Sequence, residues 1–303
     1  MGYDAWAVPL LDVVLGYDCN LACSYCTITD AMRLRAMPTE RVAREIDRAA
    51  HRGFRDVAFT GGEPTIRSDL PALVKLAKRR GFERVKVASN GLRYAHAAYL
   101  DHLLACGVTD FHMSMHAPSD EAYEETVQRA ETAALRRAAI ANMVARGLDP
   151  VADLILKEDT YRDLPAWILG LEGQGVRRFA LWLVSLTDKN RPNVAQLPRL
   201  SDVAPRVMEA CELARGRGLE VWSLHVPRCF LPGYEAHVRH PGDELVTVVT
   251  PDEVFDLKNS KLAGGVKPEG CGGCRYFEAC PGLRPDYIER FGGAEARAVY
   301  RET

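Results

Sequence analysis

The sequence predicts a parallel α/β fold, either a partial barrel or an open doubly wound sheet, followed by a small irregular C-terminal unit. Three observations carry this. Over residues 1–225, short β-like runs alternate with helix-period patterns joined by short loops, which is how βα units read. About six such units are present, fewer than the eight of a closed barrel. Beyond residue 225 the alternation stops, and Pro and Gly crowd the stretch from Pro227 to Gly273.

The elements follow in order. Leu11–Leu15 reads as the first strand. A helix with Val42, Ile46 and Ala49 on one face follows Thr39 as its N-cap and stops at Gly53. Asp56–Thr60 is a buried strand, and Ser68 caps a helix that turns Leu70, Leu73, Val74 and Ala77 inward. The unit then repeats. Strands are predicted at Arg84–Ala88, Asp110–Met115, Val151–Leu156, Arg177–Leu186 and Leu219–Leu224. Helices are predicted at Ala95–Cys106, Ala133–Arg146, Leu164–Leu171 and Val203–Arg215. In either α/β architecture, the working groups belong on loops leaving the C-terminal ends of the strands. Residues 226–303 form the second unit, whose small core calls for a metal or another staple.

Composition narrows the function. Of 303 residues, 47% are apolar and 26% charged, as in folded globular chains. Lys+Arg 39 against Asp+Glu 41 gives a net charge of −2, so no basic field points to nucleic acid. No basic stretch precedes an apolar one at the N-terminus, and no run approaches the ~18 apolar residues of a membrane span. A cytoplasmic protein without a membrane partner is expected. Its thiols stay reduced, so clustered cysteines are there as metal ligands or reactive groups.

The nine cysteines are clustered. Cys19, Cys23 and Cys26 follow the first strand. Cys271, Cys274 and Cys280 lie near the C-terminus, and Cys106, Cys211 and Cys229 stand alone. Three thiolates on one loop suit three irons of a [4Fe–4S] cubane, with the fourth iron left open. Zinc is the competing reading, but a structural zinc site is closed by four ligands and no nearby His completes this set.

Cys19, Cys23, Tyr25 and Cys26 match the C-x3-C-x-aromatic-C signature of the radical S-adenosylmethionine enzymes, which this chain resembles. The resemblance extends over about residues 11–186. Gly61-Gly62-Glu63-Pro64 follows the second strand, as the family's GGE motif does. Ser89-Asn90 and Ser114 follow the third and fourth strands at positions the family uses around its cofactor. The resemblance selects the partial (βα)6 TIM-like barrel. It implies that the open iron chelates the methionine end of S-adenosylmethionine, that Gly61 and Gly62 let the backbone approach it, and that Glu63 accepts from its amino group. On the same resemblance, Pro64 would stiffen the turn, Tyr25 would support the adenine, and Ser89, Asn90 and Ser114 are candidates to contact ribose or carboxylate. The resemblance further implies that an electron, supplied by a donor such as flavodoxin or ferredoxin, would cleave the sulfonium. The resulting 5′-deoxyadenosyl radical removes a hydrogen atom from unactivated C–H.

Cys271-x2-Cys274-x5-Cys280 resembles the core of the auxiliary-cluster extensions called SPASM and twitch domains. The next cysteine of the full SPASM pattern is replaced by Arg284. A twitch-like unit with one auxiliary [4Fe–4S] cluster is therefore expected, with Cys229 as fourth ligand. A C-x2-C pair is also half of a zinc ribbon, and Cys229 is alternatively a hydrogen-atom donor. Cys106 and Cys211 read as small core residues.

An auxiliary cluster is compatible with electron acceptance, giving dehydrogenation, and a hydrogen-donating Cys229 would instead give an epimer. With only 18 residues before Cys19, a small polar substrate is expected, most readily an aminosugar or aminocyclitol carbinol in a biosynthetic pathway. The alternatives are a ribosomally made peptide or, in a different class, a non-catalytic zinc-binding protein. His112, His116, Asp153, Lys157, Glu158, Ser185 and Asp188 are the polar groups expected near the strand ends, and the sequence does not rank them.

Overall fold

The computed structural model describes residues 9–240, 245–259 and 265–300. Seven strands lie side by side in chain order, all parallel: β1 (Leu10–Val14), β2 (Asp56–Thr60), β3 (Arg84–Ser89), β4 (Asp110–Met115), β5 (Val151–Leu156), β6 (Arg178–Leu183) and β7 (Glu220–Ser223). Of the two parallel α/β architectures the alternation allows, this is the partial barrel that the family resemblance selects. The chain beyond 225 adds two further strands to the same sheet. β8 (Val246–Val249) runs parallel to β1, and β9 (Val254–Asp256) runs antiparallel to β8.

Alternation along each strand builds the two faces. Leu11 and Val13 point outward beneath helix α2 (Thr39–His51), whose buried Val42, Ile46 and Ala49 match the expected face. The intervening Asp12 points into the barrel, as do Lys86 on β3 and His112 on β4, which line the cavity. The outer helices α3 (Leu70–Arg79), α4 (Ala97–Cys106), α6 (Thr132–Val144), α7 (Leu164–Glu172) and α8 (Leu200–Arg217) cover the rest of the sheet. Cys106 and Cys211 are buried in this core, as expected of small core residues.

Two caps are placed differently from expectation. Thr39 is the first helical residue, and its hydroxyl donates to Asp69 at 2.6 Å. Asp69, rather than Ser68, precedes α3, where Pro71 sits in the first turn and lacks the N–H a cap would satisfy.

The N-terminal end of the barrel is closed by charge. Arg84 pairs with Asp56 and Asp110, and Arg178 reaches Glu220 at 3.4 Å and Asp110 at 3.6 Å. These residues begin β2, β3, β4, β6 and β7, so the ionic ring plugs one mouth. The other mouth, at the strand C-termini, carries the cysteine loop.

Candidate active site

The loop from Gly16 to Thr29 leaves β1 and presents Cys19, Cys23 and Cys26, and its backbone is held from several sides. Helix α5 (Asp120–Val127), which apolar periodicity does not reveal, offers its C-terminal carbonyls. Ala22 N–H donates to Val127 O at 3.2 Å, and Ser24 N–H to Thr126 O at 2.8 Å. Arg33, on the short helix α1 (Asp30–Arg33), donates to the carbonyls of Cys19 (3.0 Å) and Leu21 (2.9 Å). Arg129 holds the carbonyl of Asn20 at 3.0 Å. Leu21 anchors the loop in a separate apolar cluster with Leu92, Ala117, Tyr123, Val127 and Ala133, against which Cys19 and Cys23 pack.

The turn after β2 docks on this loop by backbone contact. Gly62 N–H donates to Gly16 O at 2.9 Å, and Glu63 N–H to Asp18 O at 2.8 Å. A Cβ at Gly61 would lie 2.3 Å from Gly16 O, and one at Gly62 would lie 2.2 Å from Asp18 O. The glycines therefore have a reason to be there before any ligand arrives: two main chains meet without room for a methyl. Pro64 is buried at the start of the 3-10 turn that follows.

Glu63 is the buried hub. Its Oε1 accepts from Thr65 N–H (2.9 Å), Thr65 Oγ1 (2.5 Å) and Ser89 Oγ (2.8 Å), while Oε2 accepts from Asn90 N–H at 2.7 Å. Burial still raises its pKa above the usual carboxylate range despite these bonds. Ser89 Oγ also accepts from Gly91 N–H at 2.9 Å, so that hydroxyl positions Glu63. The Asn90 amide donates to Asn20 Oδ1 at 2.8 Å and ties the β3 turn to the cysteine loop.

Tyr25 turns inward, its hydroxyl hydrogen-bonded to His116 Nδ1 and its ring 5.9 Å from Lys157 Nζ. Lys157, 1% exposed, pairs with Asp159 at 2.7 Å. His116 Nε2 and the Tyr123 hydroxyl are buried beside this loop with no hydrogen-bond partner among the described residues. Buried polar atoms rarely stay unsatisfied, so these two fit a site built around a further group. The hydroxyl of Ser114, on the inner face of β4, also makes no hydrogen bond among the described residues.

The thiols suit iron–sulfur ligation. The sulfurs of Cys19 and Cys26 accept backbone N–H groups of Leu21 and Ile28, each at 3.4 Å, as cluster-bound thiolates do. Among the described residues no three metal-binding side chains converge on a single ion, and a cubane does not ask it of them, because each thiolate holds its own iron.

In the C-terminal segment the structure brings Cys229 into the electrostatic field of Cys271, Cys274 and Cys280. Cys274 Sγ accepts from Val299 N–H, and Cys280 Sγ from Gly282 N–H, both at 3.4 Å. Burial pushes the Cys229 thiol up to about 11. Arg284, at the position of the absent cysteine, is buried. Its guanidinium donates to the carbonyls of Leu183 (3.1 Å) and Val184 (2.6 Å) and pairs with Asp286.

Below the cysteine loop the barrel encloses a cavity of about 520 Å³. The strand-end candidates now separate. His112 and Ser185 line the cavity, with Asp153 directly behind His112. Glu158 instead pairs with Arg162.

The family model described as the Radical SAM superfamily matches residues 13–164. A 7,8-dihydro-6-hydroxymethylpterin dimethyltransferase of Methanocaldococcus jannaschii is 40% identical over 67 residues, 22% of this chain and 13% of that protein. A PqqA peptide cyclase of Ruegeria pomeroyi is 28% identical over 211 residues, 67% of this chain and 55% of the relative. This chain thus matches just over half the length of that cyclase and much less of the dimethyltransferase. Among solved structures, anSMEcpe with bound AdoMet and Kp18Cys peptide superposes with a TM-score of 0.66 at 15% identity, covering 97% of this chain and 93% of that one. The likeness in fold includes the C-terminal segment. No helix among the described residues is long and apolar enough to cross a membrane.

Proposed function

This chain belongs to the radical S-adenosylmethionine superfamily, and we propose that it modifies a peptide whose reacting side chain enters the barrel cavity. The class brings a [4Fe–4S] cluster and S-adenosylmethionine, and when bound they supply hydrogen-atom abstraction from an unactivated C–H bond. The observation that carries the peptide reading is the extent of two matches. The PqqA peptide cyclase aligns over 67% of the chain, and anSMEcpe with AdoMet and a peptide bound shares the fold over 97% of it. These relatives support the peptide alternative over the aminosugar carbinol.

Cys19, Cys23 and Cys26 hold the first cluster in this reading. Oε2 of Glu63, which among the described residues accepts from Asn90 alone, keeps an acceptor direction for the methionine amino group. Ser114, His116 and Tyr25 offer the remaining polar contacts and an aromatic face. Gly61, Gly62, Ser89 and Asn90 hold Glu63 and the cysteine loop in register, and Pro64 fixes the turn. Cys229, Cys271, Cys274 and Cys280 hold one auxiliary [4Fe–4S] cluster in a twitch-like unit spanning 226–303. A full set of four thiolates favours electron acceptance and net dehydrogenation. The apolar cluster around Leu21 and the ionic plug at the far mouth keep bulk water from the cavity.

The test has two stages. Anaerobically reconstituted protein with a reductant should release 5′-deoxyadenosine, and Cys19→Ala should abolish that release. Co-expression with each short open reading frame beside its gene should then change the mass of one encoded peptide in a Cys19-dependent way. Release of 5′-deoxyadenosine without any modified peptide would sink the peptide reading and leave the enzyme class standing.

A further inference from the structure

Inside the barrel, two histidines are each held in one protonation state by a neighbour that can only accept. Nδ1 of His112 lies 3.1 and 3.3 Å from the carboxylate oxygens of Asp153. Nδ1 therefore carries the proton and Nε2 keeps its lone pair. Trp182 Nε1 donates to Asp153 Oδ1 at 3.1 Å, so the carboxylate is fixed between β4 and β6. Nδ1 of His225 lies 3.3 Å from the carbonyl of Leu183, with its ring edge-on to Trp182 at 5.4 Å. The same logic leaves its Nε2 bare. Burial lowers the pKa of both rings, keeping them neutral. Both line the cavity, and neither Nε2 has a partner among the described residues.

Lys86 lines the same cavity from β3 and makes no hydrogen bond or ion pair among the described residues. Asp12, beyond it, accepts from Thr60 Oγ1 at 2.7 Å. Ile155, Trp182, Trp222 and Leu224 supply the apolar part of the wall, while Asp56, Arg84 and Arg178 of the ionic ring reach its floor and Arg239 and His240 its side. The cavity thus combines bare acceptors, an apolar body and the Lys86 ammonium, which lies in the field of Asp12 and Asp56 without a direct hydrogen bond among the described residues, on a scale that admits a side chain.

We propose that this wall is a substrate subsite for a neutral hydroxyl or carboxamide, whose hydrogen goes to Nε2 of His112 and whose oxygen accepts from Lys86. A substrate ammonium would meet Lys86. A carboxylate would pair with Lys86 but turn its oxygens toward imidazole lone pairs and Asp12. Only a group that donates and accepts suits both neighbours. The inference rests on the peptide reading above, and within it the matching chemistry is a Ser, Thr, Asn or Gln side chain. Asp153 and Trp182 are positioning residues, acting through the ring of His112.

The test is ¹H–¹⁵N long-range correlation NMR of ¹⁵N-histidine-labelled, anaerobically reconstituted protein. His112 peaks are assigned by their loss in His112→Gln and, independently, by their shift in Trp182→Phe. A protonated Nδ1 and an unprotonated Nε2 are expected near neutral pH. Propanamide and 2-propanol should each shift the Nε2 resonance saturably, and Lys86→Met should weaken that response about tenfold. An Nε2–H tautomer, a response to acetate alone, or no response to any of the three probes would overturn the proposal. The readout does not depend on S-adenosylmethionine cleavage or on finding the peptide, so it stands or falls separately from the functional reading.

Discussion

Arg284 and Asp286 form a buried ion pair, 2.7 Å from Nη2 to Oδ2, that fastens the C-terminal segment to the end of β6. Both partners are satisfied beyond each other. Arg284 holds two β6-end carbonyls, and Asp286 Oδ2 accepts from Leu186 N–H at 2.9 Å. Removing one side of such a pair leaves a buried charge uncompensated, at a cost of about 3–5 kcal/mol. Arg284→Met should therefore release the C-terminal segment. Limited proteolysis should cut within 226–303 well before the barrel, and reconstituted iron should fall toward the content of a single cluster. An unchanged digestion pattern would show that the pair does not fasten the two parts.

Arg33 does the corresponding work at the first cluster, by holding the carbonyls of Cys19 and Leu21. Arg33→Lys keeps the charge but cannot span two carbonyls with one planar fork. It should lower iron incorporation at the N-terminal site while the auxiliary site fills normally. EPR of the reduced protein, compared with Cys271→Ala, separates the two signals. Equal loss from both sites would mean that Arg33 acts on folding in general.

How far the sequence could be read depends on the kind of signal. Strands β2, β4 and β5 and the inward faces of α2 and α3 were legible because apolar period alone sets them. Helix α5 was not, since Asp-Glu-Ala-Tyr-Glu-Glu-Thr-Val buries only Tyr123, Thr126 and Val127. The cysteine triplet and Gly-Gly-Glu-Pro were legible because their chemistry is local in sequence. The Arg33 and Arg284 clamps were hidden because their acceptors are backbone carbonyls, which no residue type advertises. Ranking His112 and Asp153 required the sheet itself. The register sets Asp153 opposite Ser114, two residues along from His112, and only the shared inner face brings the two side chains together.

Gly62 and Gly81 separate close approach from backbone conformation. Gly81 has φ +88° and open space where a Cβ would stand, so Gly81→Ala should cost about 1–2 kcal/mol for the left-handed conformation alone. Gly62 lies in backbone that tolerates a side chain, yet its Cβ would stand 2.2 Å from Asp18 O. Gly62→Ala must push the Glu63 turn off the cysteine loop. It should cost more stability than Gly81→Ala and sharply reduce 5′-deoxyadenosine release, whereas Gly81→Ala should lower only the melting temperature. Near-equal activities of the two variants would show that the turn does not need its contact with the loop.

His225 makes stability depend on pH with a definite sign. Burial lowers its pKa to about 3, and nearby Arg284 and His240 push the same way, against Asp286 and the Leu183 carbonyl bond. The unfolded chain binds this proton near pH 6.5 and the folded chain does not, so the unfolded state holds more protons throughout that interval. Stability should therefore fall as pH drops from about 6.5 toward 3. At pH 5 the loss from this ring is on the order of 1–2 kcal/mol. His225→Phe keeps the ring against Trp182 and removes the titration. Between pH 7 and pH 5 the wild-type melting temperature should drop several degrees more than that of the variant. Parallel profiles would show that His225 is protonated without cost, and that the end of the barrel around it admits water.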